Sequence, residues 1–380
     1  MSGRIGVSLD ATAVPADPRG AGRYVIELAA ALEGADDVAM TVVCRRGDAA
    51  RWRAVAPHAA VVGVAPEPRP VRLMWEQLRL PRLLDRLGVD VHHAPHYTMP
   101  ERSGLPRVVT IHDLTFFDHP EWHERSKIVL FRRAIRRAAA RADALICVSA
   151  TTATRLRAIC SPRAAVHVVP HGVDLDRFRP DEPAPGADAT ALASLGVESP
   201  YIAFVGTIEP RKDVPGLVAA FDRVADDRPD LRLVIGGGGG WGERDAGASI
   251  ASARHRDRII RPGYVPDDKV PALLRQASVV AYPSLEEGFG LPALEALACG
   301  APLVTSTGSA MEEVTGDAAS LVPPGDRVAL ADALGAALAG GADVTARRAA
   351  GLSVAARHTW SASAAAHARV YWSVARRREG

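Results

Sequence analysis

Two hydrophobic patterns alternate along the chain. Short apolar runs, rich in β-branched residues, are separated by longer stretches in which apolar residues recur every three or four positions. In the first half, "RIGVSLD", "AMTVVC", "VDVHHA", "RVVTIHD", "ALICVS" and "AVHVVP" predict strands. "GRYVIELAAALEG" and "KIVLFRRAIRRAAARA" predict helices between them. Strand, helix, strand in regular succession is the signature of a doubly wound parallel sheet. The segment "HGVDLDRFRPDEPAPGADATAL" breaks the rhythm. It is rich in Pro, Asp and Gly, and predicts a linker over roughly Asp174–Ala189. The alternation then restarts with "YIAFVGT", "LRLVIGG", "SVVAYPS", "APLVTS" and "AASLVPP". The expectation is an α/β chain of two Rossmann-like doubly wound domains, 1–178 and 190–360, facing each other across a cleft. A C-terminal helix over about 361–380 is expected to pack back on the first domain. Ligands of such sheets bind beyond the carboxyl ends of the strands.

Composition narrows the class without choosing a function. A chain of 380 residues exceeds one ordinary core, so two domains are natural. Apolar content of 48% and charged content of 24% suit a globular enzyme. A net charge of +2 gives no nucleic-acid signal. The basic residues are nearly all arginine, read as compositional bias. Cys44, Cys147, Cys160 and Cys299 lie far apart with no metal-ligand spacing, which points to reduced, buried thiols and a cytoplasmic location. The start "MSGRIGVSLDA" runs straight into a strand pattern without a signal-peptide core, and no apolar stretch approaches transmembrane length.

Candidate chemistry concentrates at the predicted strand ends. In "LEEGFGLPALEALACG", Glu287 falls in the loop after a strand, and Glu295 in the first or second turn of the next helix. Pro292 suits that helix start, and the N–H groups of Phe289, Gly290 and Leu291 would face an anion there. A helix-start carboxylate alone is usually a dipole partner. Two of them around a glycine turn point instead to hydroxyl acceptors beside a phosphate. In "FVGTIEPRKDVPGL" the strand ends near Gly206, and Arg211 and Lys212 hang in the following loop. Such a pair suits a diphosphate. By itself it reads as a solvated loop, and it gains weight from the anion-ready turn at Gly290. "GGGGGWG" contains G-x-G-x-x-G trivially and reads equally as backbone beside a nucleobase or as a plain loop. Gly20 and Gly22 precede a helix, where glycine allows close approach to a ligand or simply turns the chain. His112 and Asp113 stand at a strand end, a frequent active-site position. The "HHAPH" group (His92, His93, His96) lacks acidic partners and is read as loop structure on the acceptor side. "DLD" (Asp174–Asp176) mimics a metal motif but lies in the linker. Finally, Arg125–Arg141 holds seven basic residues and no acidic one, with Ile128, Phe131, Ile135 and Ala138 on one face. That suits an anionic lipid surface, and at least as well a core-facing helix with a solvated arginine side.

These motifs, in this order, resemble the retaining glycosyltransferases of family 4, a group with the GT-B fold. The resemblance spans nearly the whole chain through "GAGRY", "IHD", "ICVSATT", "HGVD", "GTIEPRKD", "GYV" and above all "EEGFGLPALEALACGAPLVTS". It implies that Glu287 holds the donor sugar and Glu295 the ribose hydroxyls. Arg211 and Lys212 would meet the donor diphosphate, in a donor loop that includes Gly206 and Thr207. Phe289, Gly290 and Leu291 would offer backbone N–H groups, Gly22 would lie on a loop closing over the diphosphate, and His112 near the reacting sugar. Many members carry Arg at the position of Thr207, so this chain departs from the pattern by one charge. The implied activity is metal-independent transfer of a hexose, mannose first, from a nucleotide sugar such as GDP-mannose to a glycan or lipid-linked hydroxyl. The nucleotide sugar is then a substrate, and no separate cofactor is called for. The implied partners are that donor and the acceptor; the basic helix adds peripheral contact with an anionic membrane at the inner face as an expectation, and the low net charge gives no nucleic-acid partner. A nucleotide-sugar epimerase of the same fold and a noncatalytic nucleotide-sugar-binding protein are the alternatives.

Overall fold

The computed structural model describes residues 3–376. The chain divides into two compact units. One comprises the residues up to Gly172 together with the helix Trp360–Arg376, and the other runs from Val173 to Thr359. In the first unit, strands β1 (Ile5–Asp10), β2 (Val38–Arg45), β3 (Ala60–Ala65), β4 (Val91–Ala94), β5 (Arg107–Ile111), β6 (Ala144–Cys147) and β7 (Ala165–Val168) form a parallel sheet in the order β3-β2-β1-β4-β5-β6-β7. In the second, β8 (Tyr201–Val205), β9 (Arg232–Gly236), β10 (Ile259–Gly263), β11 (Val279–Tyr282), β12 (Leu303–Ser306) and β13 (Ser320–Val322) form another, ordered β10-β9-β8-β11-β12-β13. Both have the Rossmann order, in which the first strand sits inside the sheet and the chain reverses direction across it. The reversal places a crevice beyond β1 and β4 in one unit, and beyond β8 and β11 in the other. The central strands are buried on both faces, as parallel strands covered by helices must be, so they read as continuous apolar runs.

Two strands escape the sequence pattern, and they occupy equivalent places. β3 and β10 are the outer strands beside β2 and β9. β3 is largely half-exposed, and β10 carries Arg261 and Pro262 within five residues. A sheet edge buries less surface and tolerates polar residues and proline, so its hydrophobic run is weak.

The predicted linker also differs. Residues 173–189 belong to the second unit. Asp188 accepts two hydrogen bonds from Arg275, each 2.8 Å long, and a third from Gln276 at 2.9 Å. Phe178 is buried nearby in sequence. The composition signalled a turn-rich segment correctly, but side chains beyond its reach fasten it down. Within it Asp174 accepts the N–H groups of Asp176 and Arg177 and closes a turn. His92 and His93 are likewise not loop residues: both lie inside β4, fully buried. On the helix Arg125–Arg141, Phe131, Ile135 and Ala138 enter the core of the first unit, which removes that face from contact with lipid. The predicted C-terminal helix is described as far as Arg376, and residues 377–380 lie outside the described chain.

Candidate active site

The loops that follow β8 and β11 carry the charged residues of the second unit. After β8 the chain turns through Gly206–Glu209 into a short 3-10 turn, Pro210–Lys212. Asp213, with φ of 47°, caps the next helix by accepting the Gly216 N–H at 3.0 Å. That sharp turn presents Arg211 and Lys212 toward the loop after β11. Arg211 Nη1 lies 2.5 Å from Glu287 Oε2, and its Nε donates to Glu209 Oε2 at 2.7 Å. Lys212 Nζ lies 3.6 Å from Glu287 Oε1, and Ser284 donates to the same oxygen at 3.3 Å. Lys212 is almost wholly buried. A Cβ at Gly206 would come within 3.1 Å of its Nζ, so the glycine makes room for the ammonium. Burial alone would raise the Glu287 carboxyl. The Arg211 and Lys212 cations outweigh burial and hold it below the usual carboxylate range.

Beyond Glu287 the chain reverses at Gly290, whose φ of 99° is a left-handed conformation. A side chain there would collide with Met311 Sδ, so both backbone and packing demand glycine. The helix Leu291–Ala298 starts at this point without a side-chain cap, and Ala293 and Leu294 return their N–H groups to Gly290 O. Phe289 is buried, with its ring edge-on to His358. Glu295 lies in the second turn and is buried.

The glycine run is no plain loop. Ile208 N–H donates to Gly238 O, Gly242 N–H to Ile208 O and Gly237 N–H to Gly263 O. Side chains at Gly237, Gly240 or Gly242 would strike the backbone of Gly206, Ile208 or Glu209. These glycines bring one loop against the backbone of the loop that holds Arg211 and Lys212. Thr207 Cγ2 would meet a side chain at Gly240, so its methyl faces that packed loop.

In the first unit His112 follows β5 and is buried. Its Nε2 donates to Pro95 O at 2.8 Å, since a carbonyl can only accept. Burial lowers its pKa, so the ring is neutral and Nδ1 is the basic nitrogen. Its neighbour Asp113 is committed elsewhere, accepting from Thr115 N and Oγ1. Gly22 lies inside the first turn of the helix Ala21–Glu33 rather than before it. Its N–H donates to Arg19 O at 2.9 Å, and a Cβ would crowd Pro18 and Pro15 at 3.3 and 3.4 Å. Its hydrogen is therefore already used, and close packing explains the glycine.

Gly206, Arg211, Lys212 and Glu287 thus come together at one crevice, with Phe289, Gly290, Leu291 and Glu295 continuing from it. Sequence reading passed over Glu209, although it stands two residues before Arg211. It also passed over Ser284 and Met311. The adjacent acid in "EPRK" was the available signal for Glu209; nothing local announces Met311.

The chain as a whole matches known families. The family described as Glycosyltransferase Family 4 matches residues 18–177, and Glycosyl transferases group 1 matches residues 193–351. The chain is similar to the O-antigen chain mannosyltransferase B of Escherichia coli, 31% identical over 239 residues, covering 62% of this chain and 62% of that protein. The match therefore spans less than two thirds of that relative's length. It is also similar to the GDP-mannose-dependent alpha-(1-6)-phosphatidylinositol monomannoside mannosyltransferase of Mycolicibacterium smegmatis, 33% identical over 272 residues, covering 68% of this chain and 67% of that one. Among solved structures, the sucrose-phosphate synthase of Thermosynechococcus elongatus superposes with a TM-score of 0.80 at 22% identity over 98% of this chain and 99% of its own, a likeness of fold. With its two Rossmann-ordered sheets the chain has the GT-B fold, and it belongs to the family 4, group 1 glycosyltransferases.

Proposed function

We propose that the chain is a retaining glycosyltransferase. It moves a hexose, mannose first, from a nucleotide-diphosphate sugar to a hydroxyl of a glycan or lipid-linked acceptor. One observation carries this reading. Glu287 is held ionised between Arg211 and Lys212 at the crevice beyond β8 and β11, next to an uncapped helix start. Cations and helix N–H groups suit a diphosphate, and a fixed carboxylate suits sugar hydroxyls. The donor in the name of the mycobacterial relative makes GDP-mannose the first candidate.

In the proposed reaction the bond between the anomeric carbon and the diphosphate oxygen breaks. The acceptor oxygen bonds to the same face of that carbon, and the acceptor proton passes to the departing phosphate. Negative charge grows on the diphosphate, where Lys212 and the helix start stabilise it. On the family pattern, Glu295 takes the ribose hydroxyls and His112 serves the reacting sugar through Nδ1. Protein cations take the role a divalent ion has in other transferases, so no metal is proposed. The test is a panel of GDP- and UDP-sugars, read first by thermal shift and then by sugar transfer to acceptor in EDTA. One donor should raise the melting temperature. Sugar should appear on the acceptor without metal. A converted sugar nucleotide with no transfer would replace this reading by the epimerase. Donor binding with no turnover, whatever acceptor is supplied, would leave the noncatalytic one. Activity abolished by EDTA and restored by manganese would overturn metal independence.

We propose in addition that the first unit rests on anionic lipid. The helix Arg69–Leu78 is built inside out. It buries Arg72 and Glu76, paired at 3.2 Å, and exposes Val71, Met74 and Leu78 to 45, 58 and 62%. Arg69 lies over Phe131 of the helix Arg125–Arg141, where Val129 is also exposed. Together the two helices hold nine basic residues against the single acid Glu76, in a chain of net charge +2. Apolar side chains among arginines suit an interface that is greasy and negative. In liposome flotation at low salt the protein should float with phosphatidylglycerol vesicles, and a Met74→Glu, Leu78→Glu variant should not. A wild-type protein that stays down sinks the proposal.

A further inference from the structure

Arg211 stands beside Lys212 in sequence, and both were expected on the diphosphate. Their environments differ. We infer that Arg211 is a positioning residue for Glu287, anchored by Glu209, and that Lys212 is the cation this loop offers to the diphosphate. The inference rests on the nucleotide-sugar reading for its ligand but not for its geometry.

Arg211 grips the loop after β11 with both backbone and side chain. Its carbonyl accepts the Leu285 N–H at 2.6 Å, and its Nη1 reaches Glu286 O at 3.4 Å as well as Glu287 Oε2 at 2.5 Å. On its other edge Nε donates to Glu209 Oε2 at 2.7 Å. One guanidinium between two carboxylates leaves a group of net charge −1 (one positive, two negative). A diphosphate would gain nothing from that group as a whole. To reach Nε or Nη1 it would have to displace a carboxylate already at hydrogen-bonding distance. A planar fork with donors on two edges fits this bridging task, which an ammonium cannot copy.

Lys212 is placed differently. At 3.6 Å its contact with Glu287 is a charge pairing rather than a hydrogen bond, so its three hydrogens are not taken up by that carboxylate. It rests over Gly206 at the end of β8, where the crevice opens. Adding its charge brings the four groups Glu209, Arg211, Lys212 and Glu287 to zero. The charge missing at Thr207 is therefore not restored by Arg211, because Glu209 and Glu287 have consumed it. What remains for the diphosphate is one ammonium and the N–H groups at the helix start. Glu209 becomes a residue with a stated task. It holds Arg211 from behind so that the guanidinium cannot turn away from Glu287.

Two measurements on the full chain test this. The first needs no ligand. Hydrogen exchange across residues 284–291 should quicken in Arg211→Ala, quicken less in Glu209→Gln and stay near wild type in Lys212→Ala. Arg211→Lys should not restore protection. If Arg211→Ala exchanges like wild type, the positioning role is gone. The second is calorimetric titration with GDP and UDP, which lack the sugar that Glu287 would hold. Lys212→Ala should weaken diphosphate binding by about tenfold or more, the loss of a charge-assisted contact, while Arg211→Ala should stay within about threefold of wild type. Equal losses in the two variants would make Arg211 a diphosphate ligand and overturn the inference. If neither diphosphate binds the wild type, the donor reading fails, while the exchange result still decides the role of Arg211. Glu209→Gln changes one atom of a partly exposed side chain, so it keeps the test open should Arg211→Ala misfold.

Discussion

The two units share a strand order yet build opposite chemistry on it. The second sets ionised groups on loops at a strand end, partly open to water. The first ties its sheet to the helix Trp360–Arg376 through a buried chain of neutral groups. His367 Nδ1 faces Ser363 O at 2.8 Å and must donate. Its Nε2 is then an acceptor, so Tyr24 donates to it at 2.8 Å. With the Tyr24 hydrogen used, Thr110 donates to Tyr24 at 3.1 Å, and His93 Nε2–H donates to Thr110 at 2.8 Å. His93 Nδ1 accepts from Tyr371 at 2.8 Å. Every hydrogen has one allowed place. The lesson is about proton count. A closed neutral chain fastens an element from the far end of the sequence without desolvating a charge, and it tolerates no extra proton. The loop cluster must keep its charges, because its proposed task is to meet another charge.

The largest expected effect lies in the loop cluster. Lys212→Ala removes a preorganised cation from the proposed diphosphate site, where on the proposed mechanism charge grows as the donor bond breaks. The expected cost is on the order of 10²–10³ in kcat, with a smaller rise in donor KM, because the contact strengthens in the transition state. Steady-state kinetics on the folded variant measures it. An unchanged kcat would show that the diphosphate is stabilised elsewhere.

Acid should separate the two regions next. Burial pushes His367 down to about 4, and burial, followed by His367, His92 and His112, holds His93 well below its ordinary value. An unfolded histidine titrates near 6.5. Between these values the unfolded chain binds protons that the native chain refuses, so stability is full above about 6.5 and falls as the pH drops toward 4. His367 alone then costs about 2 kcal/mol at pH 5. Glu287 behaves in the opposite sense. Its depressed pKa gives stability that is kept until the pH falls below the ordinary glutamate range near ~4.3. Amide exchange from pH 7 to 5 should therefore show the first unit loosening while the second holds. Tyr24→Phe should weaken the first unit at neutral pH too, by roughly 1–3 kcal/mol, since His367 Nε2 and the Thr110 hydroxyl lose their partner. Equal acid sensitivity in both units would break the comparison.

Much of this was legible before the fold was known, and unevenly so. Inner strands were readable because burial on both faces forces apolar runs. The edge strands β3 and β10 were not, because an edge tolerates the glycine in AVVGVA and the arginine, proline and glycine in IIRPG that interrupt their apolar runs. Arg211, Lys212 and Glu287 were readable as candidates only together, because a cation pair at one strand end and carboxylates around a glycine turn at another both suit a sugar diphosphate. Their pairing was not, since Glu287 lies 75 residues or more from the cations, and only the parallel neighbours β8 and β11 bring the two loops together. The histidine chain was not legible for the same reason. His93, Tyr24 and His367 carry no local signal of one another; His367 is 343 residues from the tyrosine that donates to it. Gly22 was legible as a glycine that matters but not as one that matters for packing.

The smallest effect is the sharpest discriminator. Glu295 follows Glu287 by eight residues, across the glycine turn, and is buried in the helix Leu291–Ala298. It is proposed to hold ribose, far from the carbon that reacts. Such a contact is equally good in ground and transition states, and uniform binding shows in KM rather than kcat. Glu295→Gln keeps the shape and half of the acceptor capacity, so the loss should be about 1 kcal/mol, roughly a fivefold rise in donor KM at constant kcat. Melting temperature must be compared alongside, because a buried side chain also supports its helix. Lys212→Ala and Glu295→Gln should then fall on different axes of one kinetic plot, the first losing rate and the second affinity. A Glu295→Gln enzyme of wild-type stability that loses kcat instead would place Glu295 at the reacting sugar, and the ribose assignment would have to move to another residue.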